Sequence, residues 1–368
     1  MTERTTTSPT AVTSTTIGID IGDRTSHICV LDGAGNVIET GTVATTPGAF
    51  AKRFERVDAT RIAIEVGGQS AWIDETLSAL GHDVIVANAR RLRMIYENES
   101  KSDEVDAEQL ARVARVDVML LHPIQHRQRS TRTDLAKARS RDMLIATRTS
   151  LINHVRGMLK SFGTKLGSRG AAYFHGWVRD QIPDEFHCAL DPIVDTLEEI
   201  AVQIAALDKE LERLANEVYP ETMLLRQVNR VGVHTALRFV LTVEDPDRIK
   251  CSRNTGAYFG LRPRRHQSGA RDPEMRITKA GDRDVRRLLV QCAQQMLGPF
   301  GTDSDLRRWG LDLAGRGGKS AKKKAVIAVA RKLALLLHVL WKTGQVYEPL
   351  KNANAKDTAQ AAKTQVPA

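Results

Sequence analysis

Ile17-Gly18-Ile19-Asp20-Ile21-Gly22-Asp23 decides the fold. Apolar residues alternate with small or acidic ones, the period of a strand with one face on a core. Working outward, Ile17–Arg24, Ser26–Leu31 and Val37–Val43 read as three strands, the last two joined by the turn Asp32-Gly-Ala-Gly-Asn36. Pro47 opens a short helix to about Arg56, and Arg61–Val66 is a fourth strand. Gln69–Leu80 reads as a helix closed by Gly81, Asp83–Ala87 as a fifth strand, and a further helix starts near Ser102. The order βββαβαβ predicts an α/β domain of the RNase H-like type, a mixed sheet with helices packed on it.

A carboxylate at Asp20, flanked by isoleucines, is costly to bury unless it is paired or bound to a cation. Glu65 ends the fourth strand, which neighbours the first in such a sheet, so both groups face one point. Asp103 and Asp106 stand three residues apart on one helix face, in the first turn, where the helix dipole favours them. Four carboxylates can hold two Mg²⁺ ions, the arrangement phosphoryl transfer uses. Taken singly, Asp103 and Asp106 also read as a cap and a solvated helix start, and Glu65 as a surface strand end. A Gly-Ile-Asp-Ile-Gly strand also occurs in sugar kinases and actin-like ATPases. That reading requires a second phosphate motif late in the chain. Gly281-Asp282 has the wrong order for it, and Asp312-Leu-Ala-Gly315 substitutes poorly.

The charge distribution separates the ends of the 368-residue chain. Lys and Arg number 54 against 44 Asp and Glu, a net +10. Residues 1–125 carry 12 basic and 18 acidic residues, whereas residues 226–350 carry 25 and 11. A basic C-terminal domain points to nucleic acid. Hydrophobic residues at 42% exclude global disorder, and aromatics at 5% argue against base stacking as the main mode of strand binding. Four unpaired cysteines, no apolar leader and no unbroken apolar span predict a soluble, reduced, cytoplasmic protein without a membrane partner.

Residues 1–15 and 347–368 read as disordered tails, 16–125 as the acidic domain, 126–222 as a basic helix and coiled-coil region, and 223–346 as a mostly helical basic domain. Leu135–Phe162 is the long basic helix. Ile193, Ile200, Leu207 and Leu214, with Leu197, Ile204, Leu211 and Val218, form a heptad seam. It predicts an intermolecular coiled coil, with an amphipathic helix on the chain's own core as the other reading.

Val228-Asn-Arg-Val-Gly232-Val-His234 resembles a helix–hairpin–helix, in which backbone amides meet a phosphate. Beyond it, Ser268-Gly269 sits in a polar loop among Arg262, Arg264, Arg265 and Arg271. Loop serines are mostly solvated turn residues, but these arginines draw phosphate near Ser268. Arg276, Lys279 and Arg283 extend the basic face, and Lys322, Lys323 and Lys324 open the last helix, where the dipole disfavours cations. Nucleic-acid binding explains their placement, as does a solvated charge cluster.

Gly18-Ile-Asp20-Ile-Gly22, Glu65-Val-Gly-Gly68, Lys101-Ser-Asp103-Glu-Val-Asp106-Ala107, Ala257-Tyr-Phe-Gly-Leu-Arg-Pro263, Ser268-Gly269 and Arg276-Ile-Thr-Lys279-Ala-Gly281 occur in the order of a known family. Over residues 16–345 the chain resembles the DEDD-type insertion-sequence transposases, insertion-sequence family one-ten. The resemblance implies a RuvC-like N-terminal domain, a coiled coil for assembly and a C-terminal transposase domain. It also implies a bacterial, nucleoid-associated DNA recombinase guided by a structured noncoding bridge RNA that pairs with donor and target DNA. By the same carry-over, Asp20, Glu65, Asp103 and Asp106 bind Mg²⁺, and Ser268 is the nucleophile that forms a phosphoserine–DNA link. The active site is then shared between protomers of a dimer or tetramer. Gly67, Ala270 and His234 depart from the family pattern, and none of them is a proposed catalytic group. Two other functions remain open from the residues: a metal-dependent nuclease or junction resolvase using water, with Ser268 only binding phosphate, and a non-catalytic nucleic-acid-binding protein.

Overall fold

The computed structural model describes residues 15–88, 102–269, 273, 275–318 and 320–351. The chain divides into two compact units, Met1–His126 and Arg127–Ala368.

The first unit is built on a five-stranded sheet, β1 (Thr15–Asp20), β2 (Thr25–Asp32), β3 (Val37–Ala44), β4 (Arg61–Glu65) and β5 (Asp83–Ala87), in the order β3-β2-β1-β4-β5. β1 runs antiparallel to β2 and parallel to β4. Helices α1 (Pro47–Phe54), α2 (Ser70–Ala79) and α3 (Asp103–Val116) complete it. The α/β arrangement is consistent with the predicted RNase H-like sheet. One boundary differs. The sequence carries the first strand to Arg24, but it stops at Asp20, so this carboxylate closes the strand instead of lying within it.

Alternation sorts the strand residues onto two covered faces. Ile17, Ile19, Ile28, Val30, Ile62 and Ile64 pack against Phe50 and Phe54 of α1 and Ile73 and Leu77 of α2. Each such side chain, fully buried, contributes roughly 1.5–3 kcal/mol. The intervening residues face α3. Cys29 and Leu31 meet Ala107 and Ala111, while Ala63 meets Leu110 and Ala114. The contact surface is made of small residues, so the helix lies close on the sheet. At Gly18 there is no room for a side chain: a Cβ would stand 2.0 Å from the Ala107 carbonyl oxygen.

The second unit is helical: α4 (Arg129–Ser161), α5 (Phe174–Val178), α6 (His187–Arg213), α7 (Thr222–Arg226), α8 (Val233–Val243), α9 (Thr255–Tyr258), α10 (Arg283–Leu297), α11 (Asp305–Gly315) and α12 (Ala321–Thr343). Its main core joins Phe239 and Val240 of α8, Leu289 and Met296 of α10, and Val329, Leu333 and Leu337 of α12.

The heptad seam finds its partner inside the chain. Leu190, Val194 and Leu197 pack on Ile152, Val155 and Leu159 near the end of α4. Leu211 and Leu214 pack on Leu135 and Ala138 near its start, together with Leu237 and Leu241 of α8. The two long helices therefore form an antiparallel pair, tied by Lys137 to Glu210 at 2.9 Å and by Arg141 to Asp208. Within one chain the stripe is covered by the chain's own basic helix, the second of the two readings of the seam, and α4 shares a core with α8. Acidic substitutions at Ile204 and Leu211, both buried here, would strike this core and would not report on assembly. Sequence patterning defines the stripe but not what covers it.

The C-terminal expectation is corrected in part. Tyr347 packs against the main core, and its amide donates to Gln227 Oε1 at 2.8 Å. The Pro349 carbonyl accepts from the Asp305 amide. Residues 347–351 are thus anchored, while residues 1–14 and 352–368 lie outside the described residues. Among the described residues, no helix is long and apolar enough to cross a membrane.

Candidate active site

The register of β1 and β4 sets the first two carboxylates side by side. Ile19 pairs with Ile64, so the next residues along these parallel strands are Asp20 and Glu65. Both follow residues of the other face, and alternation turns them to the side covered by α3. That helix begins over the same end of the sheet. Ser102 caps it, accepting from the Val105 amide at 3.3 Å, and Asp103 and Asp106 occupy its first turn. Asp106 is 7% exposed, whereas Asp103 is largely open to solvent. His27 pairs with Asp20 across β1 and β2, and its Nε2 lies 3.6 Å from Asp103 Oδ2.

The electrostatics register this convergence at Asp20. Its carboxyl is pushed up to about 6, first by burial, then by the negative charges of Asp103, Asp106 and Glu65, against an opposing contribution from His27. All four predicted carboxylates therefore act on one place. The donor set is all oxygen, half-buried and mutually repelling, which suits a hard divalent cation. Among the described residues, no three ligating side chains are already closed around one point, and like charge opposes that closure.

A consequence for stability follows. A carboxyl whose pKa rises from 3.8 to about 6 on folding opposes folding once ionised. The cost is absent below pH 4, grows between pH 4 and 6, and is complete above that. With solvent screening it amounts to about 1 kcal/mol. Asp20→Asn should melt higher than wild type at pH 8 in a chelator, and the gap should close at pH 4. Thermal unfolding at both pH values checks this. A lower melting temperature at pH 8 would mean that Asp20 is not repelled.

The predicted nucleophile lies in the second unit. Ser268 is exposed, on an excursion between Leu261 and Ala280. Pro263 bridges Ile277, the Arg264 amide donates to the Arg276 carbonyl at 2.9 Å, and the Thr278 amide donates to the Arg262 carbonyl at 2.9 Å. The root closes where two glycines cross. A Cβ at Gly260 would stand 2.1 Å from the Ala280 oxygen, and one at Gly281 would stand 1.9 Å from the Tyr258 oxygen; both have positive φ. Arg286 fastens the crossing, donating to the Phe259 and Ala280 carbonyls at 2.9 Å each.

Arg262, Arg264, Arg265, Arg276, Lys279 and Arg283 are all exposed on or beside this excursion, as are Lys322, Lys323 and Lys324 on the first turn of α12. Arg271 lies outside the described residues. Arg262, Arg264, Arg276, Lys279, Arg283, Lys322 and Lys323 make no ion pair among the described residues, in contrast to Lys137 and Arg141 of α4, whose charges are met by Asp134, Glu210 and Asp208. The helix–hairpin–helix resemblance maps to α7, a turn with positive φ at Arg230, and α8, which starts after Gly232.

Comparison with known proteins matches both units. A model described as a transposase of the DEDD, IS110 type matches residues 17–163, and one described as the transposase IS116/IS110/IS902 family matches residues 222–302. Together they account for more than half of the chain. The chain belongs to this transposase family. Among similar proteins, the transposase for insertion sequence element IS1328 of Yersinia enterocolitica is 26% identical over 348 residues, covering 90% of this chain and 98% of the relative. The transposase for insertion sequence element IS1111A of Coxiella burnetii is 25% identical over 344 residues, covering 90% of each chain. A putative transposase of Sinorhizobium fredii is 29% identical over 310 residues, covering 80% of this chain and 76% of the relative. As a transposase, the protein cleaves and rejoins DNA, and the DEDD class implies a divalent metal.

The first family match contains all four carboxylates, and the second contains Ser268. Sequence reading passed over three residues of this transposase. His27 was legible as a strand residue of the same parity as Cys29 and Leu31, which places it on the carboxylate face. Arg286 follows Arg283 in sequence and looks like one more cation of the basic face, but its guanidinium donates to backbone carbonyls. Gly18 stood in the motif without its reason, the closeness of α3.

Proposed function

We propose that this transposase excises and inserts its element through a covalent serine intermediate, guided by a structured noncoding RNA and acting as a homo-oligomer on donor and target DNA. The observation that carries the reading is the convergence of Asp20, Glu65, Asp103 and Asp106 at the ends of β1 and β4 under the first turn of α3. Bound there, Mg²⁺, in our reading two ions, would stabilise charge on phosphoryl oxygens.

The chain's own residues supply the rest. Asp20 and Glu65 are held on rigid strand ends, and Asp103 and Asp106 on a capped helix turn, so the four carboxylates keep their positions without induced folding. Ser268 Oγ attacks the scissile phosphorus and loses its proton. The bond from phosphorus to the 3′ oxygen breaks, and that oxygen takes up a proton to leave as a free 3′-OH. The product is a phosphoserine–DNA ester, which a new 3′-OH reverses during strand exchange. The exposed cations around Ser268 hold the strand by its phosphates. RNA pairing would supply the sequence specificity, as it does in other guided systems.

The test is a covalent trap. The protein is expressed with its flanking DNA, incubated with Mg²⁺ and a labelled junction, and denatured. An adduct mapped to Ser268, absent in Ser268→Ala, is the expected result. Cleavage without an adduct would overturn serine catalysis in favour of attack by water.

A further inference from the structure

The family motifs do not account for a cleft in the second unit, between the root of the serine excursion and the first three turns of α12. It has a volume of about 800 Å³, within the ~300–1,000 Å³ range of built ligand sites. Arg276 and Lys279 line it from the excursion, Arg316 from beyond α11, and Lys323, Lys324 and Arg331 from α12. Among the described residues, no acidic side chain lines it. Arg276, Lys279, Arg316, Lys323 and Arg331 make no ion pair among the described residues. These five cations, gathered without an ion pair among the described residues, repel one another, and the first turn of α12 adds the positive end of its dipole. Ser320 gives that helix no side-chain cap, and its first turn holds no acidic residue. The wall behind the cations is apolar, formed by Leu261, Met275, Ile277, Leu313 and Ile327.

We propose that this cleft holds one unpaired nucleotide of the DNA strand, its phosphate on the cations and its base on the apolar wall. A base in a duplex keeps its faces stacked on its neighbours, so only an unpaired one can lie on Leu261 and Ile277. The wall is the stem of the loop that carries Ser268, and the same two segments, 261–263 and 275–279, serve both. A strand fixed in the cleft is thereby fixed at the root of that loop. Arg316 and Arg331 are the new members, far apart in sequence and outside every motif. Arg331 reaches the cleft because Gly256 leaves space for its stem: a Cβ there would stand 2.5 Å from Arg331 Cγ. The choice of DNA over RNA rests on the proposed role of Ser268; the cation and wall geometry does not.

The test is binding without chemistry. Fluorescence anisotropy is measured in a chelator, on full-length Ser268→Ala protein, with a labelled single-stranded oligodeoxynucleotide, the matching duplex and an oligoribonucleotide. Arg316→Ala with Arg331→Ala changes two exposed residues, and an unchanged melting temperature verifies folding. The expected result is roughly a tenfold loss for single-stranded DNA, a salt slope shallower by about 1.4 for two lost phosphate contacts, and little change for duplex. Equal loss on duplex and single strand, loss on RNA alone, or no loss would each overturn the proposal. If an adduct never forms on Ser268 but this pattern holds, the cleft stands and the serine reading fails.

Discussion

Asp106→Asn reduces metal-dependent DNA cleavage roughly 10³-fold or more and leaves nucleic-acid binding by the basic unit unchanged. The substitution keeps size and shape and removes one charge. Asp106 is the most buried of the carboxylates that press on Asp20, at 7% exposure, so solvent cannot replace it. Loss of a charged oxygen beside the reacting phosphate withdraws several kcal/mol of transition-state stabilisation, and each 1.36 kcal/mol is tenfold in rate. Binding survives because the exposed cations lie in the other unit. Cleavage of a labelled junction and anisotropy on the same preparation separate the two effects. Glu104→Gln, one turn position away and exposed, is the control that should cost little. Near wild-type cleavage by Asp106→Asn would remove the carboxylate site.

Gly18→Ala is the second large effect, and it involves no functional group. The added methyl would meet the Ala107 carbonyl oxygen at 2.0 Å and the Ala111 amide nitrogen at 2.6 Å. Both are backbone atoms in the middle of α3, so the whole helix must move. Forcing atoms into a packed contact costs about 1–3 kcal/mol where side chains can adjust, and more where backbone must. The first turn of α3 carries Asp103 and Asp106, so the same shift separates them from Asp20 and Glu65. A misplacement near 1 Å costs roughly 10²-fold in rate. The expected outcome is a lower melting temperature together with at least that loss of cleavage. Gly41→Ala, where a methyl would meet nothing within 4 Å, should leave both unchanged. Full cleavage by Gly18→Ala would show that α3 need not lie so close.

The sheet was legible because its signal is local. Alternation in 17–43, turn residues at 32–36 and short apolar runs at 61–65 and 83–87 each report on their own strand. The same alternation carries the parity that puts Asp20 and Glu65 on one face, so the nearness of these two carboxylates is legible in the sequence. What could not be read depends on distant pairs. The stripe on α6 does not say whether α4 or a second copy covers it. Tyr347 looks like part of a polar tail, and only the core formed by α8, α10 and α12 shows why it is held. Arg316 and Arg331 belong to no motif with Arg276 and Lys279; the fold alone gathers them.

The glycine crossing at the root of the serine excursion has an evolutionary consequence. A loop whose two ends are already pinned adds little closure entropy when its middle is lengthened, about 0.6 kcal/mol for each doubling. The knot at Gly260, Gly281 and Arg286 therefore insulates the helical core from whatever happens between Arg264 and Met275. Changes of length or composition on either side of Ser268 therefore leave the scaffold beneath the same. The stretch that carries the proposed nucleophile can diverge around that one serine without refolding the enzyme.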